Sequence, residues 1–387
     1  GGGPRLSCGD AGDAPPRALL VQGVPRGSEL AAVNLQTGAV DGRLGFDAGY
    51  GLPSGLGTEP YLLAEDTDVV TRLDPLEPWK PVASWNVRGD ENANPVAVVP
   101  VSCSKAYVLR YNRDKIAIVD QSQPQGGVPR AYIDLAPYKT AGDPNVVEMT
   151  SAVYVPAKKR VFVLLGNADL TRYVTYFDPA LGYEVTKLLC AAALKPSIVA
   201  IDVETDRVVS LDGTAPGGGI ALDGYNPPIG TPLIHDATSD RLLVLQAGCN
   251  EELGDGGAGA VIRRRVEEVH LGTGAVRTLL SLDDKEFPSS LAYVDSANAA
   301  LAFYFEGYRW DPRGSTLGAT IAGGIDLVAA DGRGGFFGTR GTFVDGGVGP
   351  VEVLALPAAG GAPSVLVSGP FSRVGGYVSG IEAWPRR

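Results

Sequence analysis

Histidine is nearly missing from this chain: His235 and His270 are the only two in 387 residues. Multi-imidazole copper and zinc sites need several His at converging positions, and Ser-His-Asp or Cys-His catalysis needs one beside a nucleophile and a third, orienting group. Each His here sits in or beside an apolar run, PLIHD and EEVHL, the setting of a packed imidazole. Glycine-rich phosphate loops, the dinucleotide fingerprint and the GxSxG nucleophile elbow are absent as well. Positive charge is sparse. The net charge is −11 and the one basic run, 263–265, is three residues long, so the cationic stripe that a phosphate backbone requires is lacking and nucleic acid is not an expected partner. No uninterrupted apolar stretch approaches the ~18–20 residues of a membrane-spanning helix. Helix-forming composition is confined to a short piece around 185–195.

What the chain does have is turn formers between short apolar runs: 52 Gly and 29 Pro, with no collagen-like period. The clearest unit is PVAVVPV (95–101), AYVLRY (106–111), KIAIVD (115–120) and RAYIDL (130–135), which predicts four antiparallel strands. One such sheet cannot bury both faces, whereas several arranged radially can. Seven units follow. The first has three strands, RALLVQGV (17–24), SELAAVNL (28–35) and AVDGRLGF (39–46), and a lone strand, YVSGIEAW (377–384), remains at the other end. Between them lie units at about 49–87, 95–135, 149–224, 231–282, 287–321 and 324–369. Setting the last strand beside the first three closes the ring and removes the open sheet edge. The expectation is an all-β, seven-bladed β-propeller forming a single domain over 17–387, after a flexible arm at 1–16. Recurring hairpin links such as LQTGAV (35–40) and LGTGAV (271–276) agree with it. The fourth unit is irregular: 168–195 reads as an insertion in one loop, with an incomplete eighth blade as the alternative.

The four cysteines include no CxxC pair and point to an oxidising compartment. Cys190 ends the fourth-blade insertion and Cys249 opens a loop of the next blade on the same rim, which predicts a Cys190–Cys249 disulfide. Cys103 falls in a turn on the opposite rim and is expected to be free or paired with the amino-terminal arm. That arm, GGGPRLSCGDAGDAPP, has the composition of a solvated tether. Cys8, in LSCGD, resembles the cleavage and lipidation junction of bacterial lipoproteins, with Arg5 standing where an apolar residue is usual.

The stretch AYVLRYNRDKIAIVD, followed by a blade-to-blade link and VVEM (146–149), resembles the YncE-like seven-bladed propellers, in particular their secreted or surface lipoprotein members. The resemblance spans most of the chain as a repeat pattern. It implies an extracytoplasmic location in a bacterium, membrane association only through a lipid, capture of a ligand in the manner of corrinoid-binding surface proteins, and an outer-membrane protein as partner. It implies no resident cofactor.

In a propeller the links between blades (D-to-A) and the B-to-C loops converge at one mouth of the channel, where ligands gather. From the D-to-A links the candidate binding residues are Asn94, Asn145, Glu148, Tyr225, Asn226 and Glu286. The B-to-C loops supply Asn112, Arg113, Asp114, Asn167, Asp169, Asn250, Glu251, Tyr308 and Trp310. The insertion adds Tyr173, Tyr176, Phe177 and Tyr183. Amides, carboxylates and aromatic faces together suit a small polar ligand or a protein partner. The reading is a non-catalytic capture protein. Its alternative is a lactonase-type hydrolase holding a divalent metal with Glu148, Asn226 and Asp169. The segment ELGDGGAG (252–259) has carboxylates too sparse for a calcium loop and is expected to be an exposed loop.

Overall fold

The computed structural model describes residues 14–385 except for 24–26, 50, 55–58, 140–145, 169–172, 179–182, 191–194, 212, 214–216, 254–257, 345–346 and 374–376. Seven sheets, each built on four antiparallel strands from A innermost to D outermost and two of them carrying a short fifth strand, stand around a common centre as blades. Blades 2 to 7 run in chain order, from strand A of blade 2 at Gly51–Ser54 to strand D of blade 7 at Ser364–Ser368. Blade 1 is composite: its strands B, C and D are Arg17–Gly23, Ser28–Asn34 and Val40–Phe46, and its strand A is Tyr377–Trp384.

Burial explains why these segments are strands. An inner strand is packed between two neighbouring blades, so both of its faces need apolar or small residues. Pro95–Ser102 (PVAVVPVS) is buried at every position but the last. An outer strand touches protein on one face only and alternates, as in Pro81–Asn86, where Ala83 and Trp85 are buried and the rest exposed. The core is accordingly divided into inter-blade layers. Leu63 and Trp85 of blade 2 pack with Val98 and Val108 of blade 3, and Ala18 and Val33 of blade 1 pack with Phe337 and Val353 of blade 7.

The ring closes where the sequence expected it. Arg17–Gly23 pairs antiparallel with Tyr377–Trp384, from Arg17 opposite Trp384 to Gly23 opposite Tyr377. The buried Trp384 indole donates to the Pro75 carbonyl at 2.9 Å, tying the closing strand to blade 2 as well. Serines on inner strands join neighbouring blades: Ser290 Oγ accepts from Val328 N at 2.8 Å, and Ser379 Oγ donates to the Gly51 carbonyl at 2.6 Å. A small hydroxyl reaches the next backbone there without widening the ring.

Three features depart from the expectation or add to it. Tyr308 and Trp310 lie in strand C of blade 6, Glu306–Trp310, and not in a loop. Their B-to-C link is only Tyr304 and Phe305, because Phe303 pairs with Glu306. Cys103 is disulfide-bonded, which removes the free-thiol option. Gly126–Gly127 pairs in parallel with Ser84 and Trp85, covering the outer edge of blade 2. A Cβ at Gly126 would stand 1.8 Å from the Ser84 carbonyl oxygen, so only glycine allows this approach.

Candidate binding face

Strands A and C run one way and B and D the other, so the B-to-C loops and the D-to-A links emerge on one face. Three blades add a hairpin to that face between strands B and C. Blade 4 adds Tyr173–Asp178 with Tyr183–Leu188, blade 5 adds Cys249–Glu252 with Ala258–Ile262, and blade 7 adds Phe343–Val344 with Gly347–Val348. The segment 252–259 thus belongs to a hairpin whose strands are ordered, with residues 254–257 outside the described residues.

The hairpins of blades 4 and 5 are joined. Cys190 and Cys249 form a disulfide, the Cys190 N–H donates to the Asn250 carbonyl at 2.9 Å, and Leu189 bridges to Asn250 in parallel. Two excursions from different blades therefore act as one arch, and Cys249 is buried beneath it.

The polar residues nominated from the sequence divide into two groups. One group builds the face instead of lining it. Asn94 and Glu148 stand immediately before strand A of blades 3 and 4, and Asn226 lies in the link leading to strand A of blade 5, with left-handed φ of 49°, 51° and 56°. In each blade the carbonyl of that residue and of the one before it take N–H groups from the end of strand B. The pairs are Asn94 with Tyr111 and Ala93 with Asn112; Glu148 with Gly166 and Val147 with Asn167; and Asn226 with Ala247 and Tyr225 with Gly248. The left-handed turn is what aims both carbonyls at the neighbouring strand. The side chains are engaged as well. Glu148 is buried, accepts the Ala168 N–H at 2.7 Å and takes the Tyr111 hydroxyl, whose pKa is raised by burial first and by Glu148 second. Asn167 is buried and donates to the Lys195 carbonyl at 3.2 Å and to Ser197 Oγ at 3.3 Å. Asp114 accepts the Val147 N–H at 2.9 Å and pairs with Lys139 at 2.7 Å. Tyr225 is buried under the Arg263 guanidinium, 5.5 Å from the ring centroid. Asn250 donates to the Gly259 carbonyl within its hairpin at 2.9 Å. Trp310 belongs to neither group of this face: it ends strand C toward the opposite rim, buried, with its indole donating to the Gly314 carbonyl at 3.0 Å.

The second group is at the surface. Asn112 donates to Asn92 at 3.2 Å, Arg113 pairs with the exposed Glu91, and Glu251, Glu286 and Tyr173 are exposed. Tyr308 is half-buried, edge-on to Phe303 at 5.7 Å, and donates to Glu306 at 3.0 Å. Asn145 and Asp169 lie outside the described residues, as do Cys8 and the side chains of Tyr176, Phe177 and Tyr183. Of the trio considered for a metal, Glu148 is committed to Ala168 and Tyr111. Among the described residues no group of three His, Cys, Asp or Glu side chains is placed to hold a metal ion.

Sequence reasoning nominated Tyr173 but missed the rest of the exposed apolar component. Tyr173, Ile229, Leu253, Phe287, Tyr304, Phe305 and Tyr377 are exposed, and all belong to this face. Among the described residues, six of these seven sit on blades 4, 5 and 6 or the links between them; Tyr377 is the exception. The opposite rim exposes Leu76 and Val128 but is also stitched by polar contacts between blades: Tyr61 with Gln121, Lys105 and Tyr107 with Asp206, and Lys158 with Asp240 at 2.9 Å. Bulky apolar groups left in water on one sector mark an interaction surface.

No protein-family model matches the chain, and no curated protein matches it in sequence. Solved structures do match in shape. A functionally unknown protein from Desulfotomaculum acetoxidans superposes with a TM-score of 0.54 at 8% identity, over 90% of this chain and 98% of that one. Hydrazine synthase from Kuenenia stuttgartiensis superposes with a TM-score of 0.52 at 13% identity, over 89% and 94%. At these identities the likeness is one of fold, and the chain is a seven-bladed β-propeller.

Proposed function

We propose that this propeller is a non-catalytic, extracytoplasmic capture protein whose working surface is the loop-rich face over blades 4 to 6. The observation that carries the proposal is the concentration of exposed apolar side chains on that sector beside a disulfide-tied arch. Burying them against a partner recovers about 25 cal/mol per Å² of apolar area, whereas leaving them in water serves no purpose within the fold. The disulfide supports an oxidising environment. The YncE-like resemblance and an outer-membrane partner belong to this reading as its finer parts.

The test compares wild type with a Phe287→Ser, Tyr304→Ser, Phe305→Ser triple variant of unchanged melting temperature. Both are cross-linked in the extracytoplasmic fraction of the source organism, alongside a thermal-shift screen with corrinoids, haem and oligosaccharides. The expected result is a cross-linked partner or a stabilising compound that the variant loses. Equal behaviour of the two proteins would sink the proposal.

A further inference from the structure

One sector of the face carries more chemistry than apolarity. Strands B and C of blade 6 turn through Tyr304 and Phe305 alone, and Phe305 has φ +74°. A positive φ at the second residue of a two-residue turn is the place for Gly or Asn. A phenylalanine there carries backbone strain while leaving its ring 61% exposed, and Tyr304 beside it is 55% exposed. The turn is nevertheless held firmly: Asp326 accepts the N–H groups of Phe305 and Gly341, and Gly324 (φ +77°) comes so close that a Cβ on it would stand 2.4 Å from the Phe305 carbonyl oxygen. Phe287, from the preceding link, completes a shelf with its ring 6.2 Å from that of Tyr304 and tilted by 33°.

The charges around the shelf are unbalanced. Glu286 adjoins Phe287 and Glu306 adjoins Phe305 in sequence, and Asp326 is near enough to contribute to the raised Tyr304 pKa, after burial. Two of these carboxylates have a cation beside them, Glu286 near Arg264 and Asp326 near Arg340, but the cations are shared. Arg264 also faces Asp283, Arg340 pairs with Glu352 at 2.5 Å, and Lys285 pairs with Asp284 at 3.4 Å and stands 5.1 Å over the Tyr308 ring. Among the described residues this leaves Glu306 facing only the Tyr308 hydroxyl. Exposed aromatic faces with surplus carboxylates attract a cation through the ring quadrupole and through simple Coulomb attraction. The shelf is open, not a closed cage, so a free ammonium ion would bury little area on it. A cation delivered by a larger body, with Leu253 and Ile229 offering further apolar area on the same sector, gains enough contact to bind.

Resting on the capture function proposed above, we infer that Phe287, Tyr304 and Phe305 form a subsite for arginine or lysine side chains of a basic segment on a protein partner. Calorimetry with a decapeptide of alternating Arg and Gly tests this, with the Glu-Gly counterpart, tetramethylammonium and maltohexaose as comparison probes, at low and at moderate salt. The Arg-Gly peptide is expected to bind, and Phe305→Ala to weaken it by about fivefold to thirtyfold, the range of a desolvated cation–π contact. A Glu286→Gln, Glu306→Gln pair should weaken it further and flatten the salt dependence. Three outcomes overturn the inference: no binding of the Arg-Gly peptide, equal binding by wild type and Phe305→Ala, or equal affinity for tetramethylammonium or maltohexaose. Unchanged melting temperatures show that the variants are folded. A partner cross-linked through Phe305 by a protein that ignores the Arg-Gly peptide removes this inference and leaves the capture function standing.

Discussion

Cys190, at the end of one inserted hairpin, is bonded to Cys249, at the start of another, across a sequence separation of 59 residues and the boundary between two blades. A cross-link of this span restricts the unfolded chain by up to ~4 kcal/mol if the native geometry is relaxed. The paired Cys190→Ser, Cys249→Ser variant is therefore expected to lose stability up to that amount in denaturant titration. Hydrogen exchange should rise first in the hairpins of blades 4 and 5, because the arch has its own sheet pairing but only a small core.

Phe305→Asn removes the strain of a bulky residue at positive φ, and asparagine tolerates that conformation. The variant is expected to be more stable than wild type by about 1 kcal/mol, measured by thermal or chemical denaturation, while binding less of whatever the mouth face takes. A less stable variant would mean that the ring contributes to the fold.

Glu65, half-buried at the B-to-C turn of blade 2, has its carboxyl pushed up to about 7 by burial first and by Asp66 second. The folded state therefore holds this proton more tightly than the unfolded state does, near its usual 4.5. Folded stability from this group is greatest at acid pH and declines as pH rises from about 4.5 to about 7. Glu65→Gln should remove that decline, so the difference between the two proteins in urea midpoints grows in favour of the variant toward neutral pH. A difference that stays constant between pH 4.5 and 8 would contradict the account.

Cys103 is disulfide-bonded while Cys190 and Cys249 satisfy each other. In a chain of four cysteines, non-reducing peptide mapping is expected to find Cys103 linked to Cys8. A sulfur used in that way cannot also carry a thioether-bound lipid. Intact mass of protein isolated from its source separates the two fates of Cys8.

Much of the architecture was legible because strand burial in a propeller is repetitive. PVAVVPV and its counterparts are apolar on both faces because they stand between blades, and that signal recurs in each unit. The closing strand was legible by subtraction, since three strands at one end require a fourth. The turn of blade 6 was not. AFYFEGYRW contains no Gly, Asn or Asp between its two strands, so the run hid a two-residue turn and displaced Tyr308 and Trp310 into a loop they do not occupy. The polar residues before strands A were visible, but their direction was not: Asn94, Glu148 and Asn226 look like ligand-facing groups until their left-handed backbones show carbonyls capping the adjacent strand. Loop polarity alone does not separate a group that serves solvent from one that serves the chain.

The innermost strand of the first blade is also the last of the propeller's described strands in chain order. Through nearly the whole of synthesis, Arg17–Gly23 has an unpartnered flank, and the contacts that Trp384 and Ser379 make with blade 2 do not exist. The nascent chain therefore remains an unclosed arc vulnerable to mispairing until Tyr377–Trp384 arrives, and that one edge is the one that stays unguarded longest.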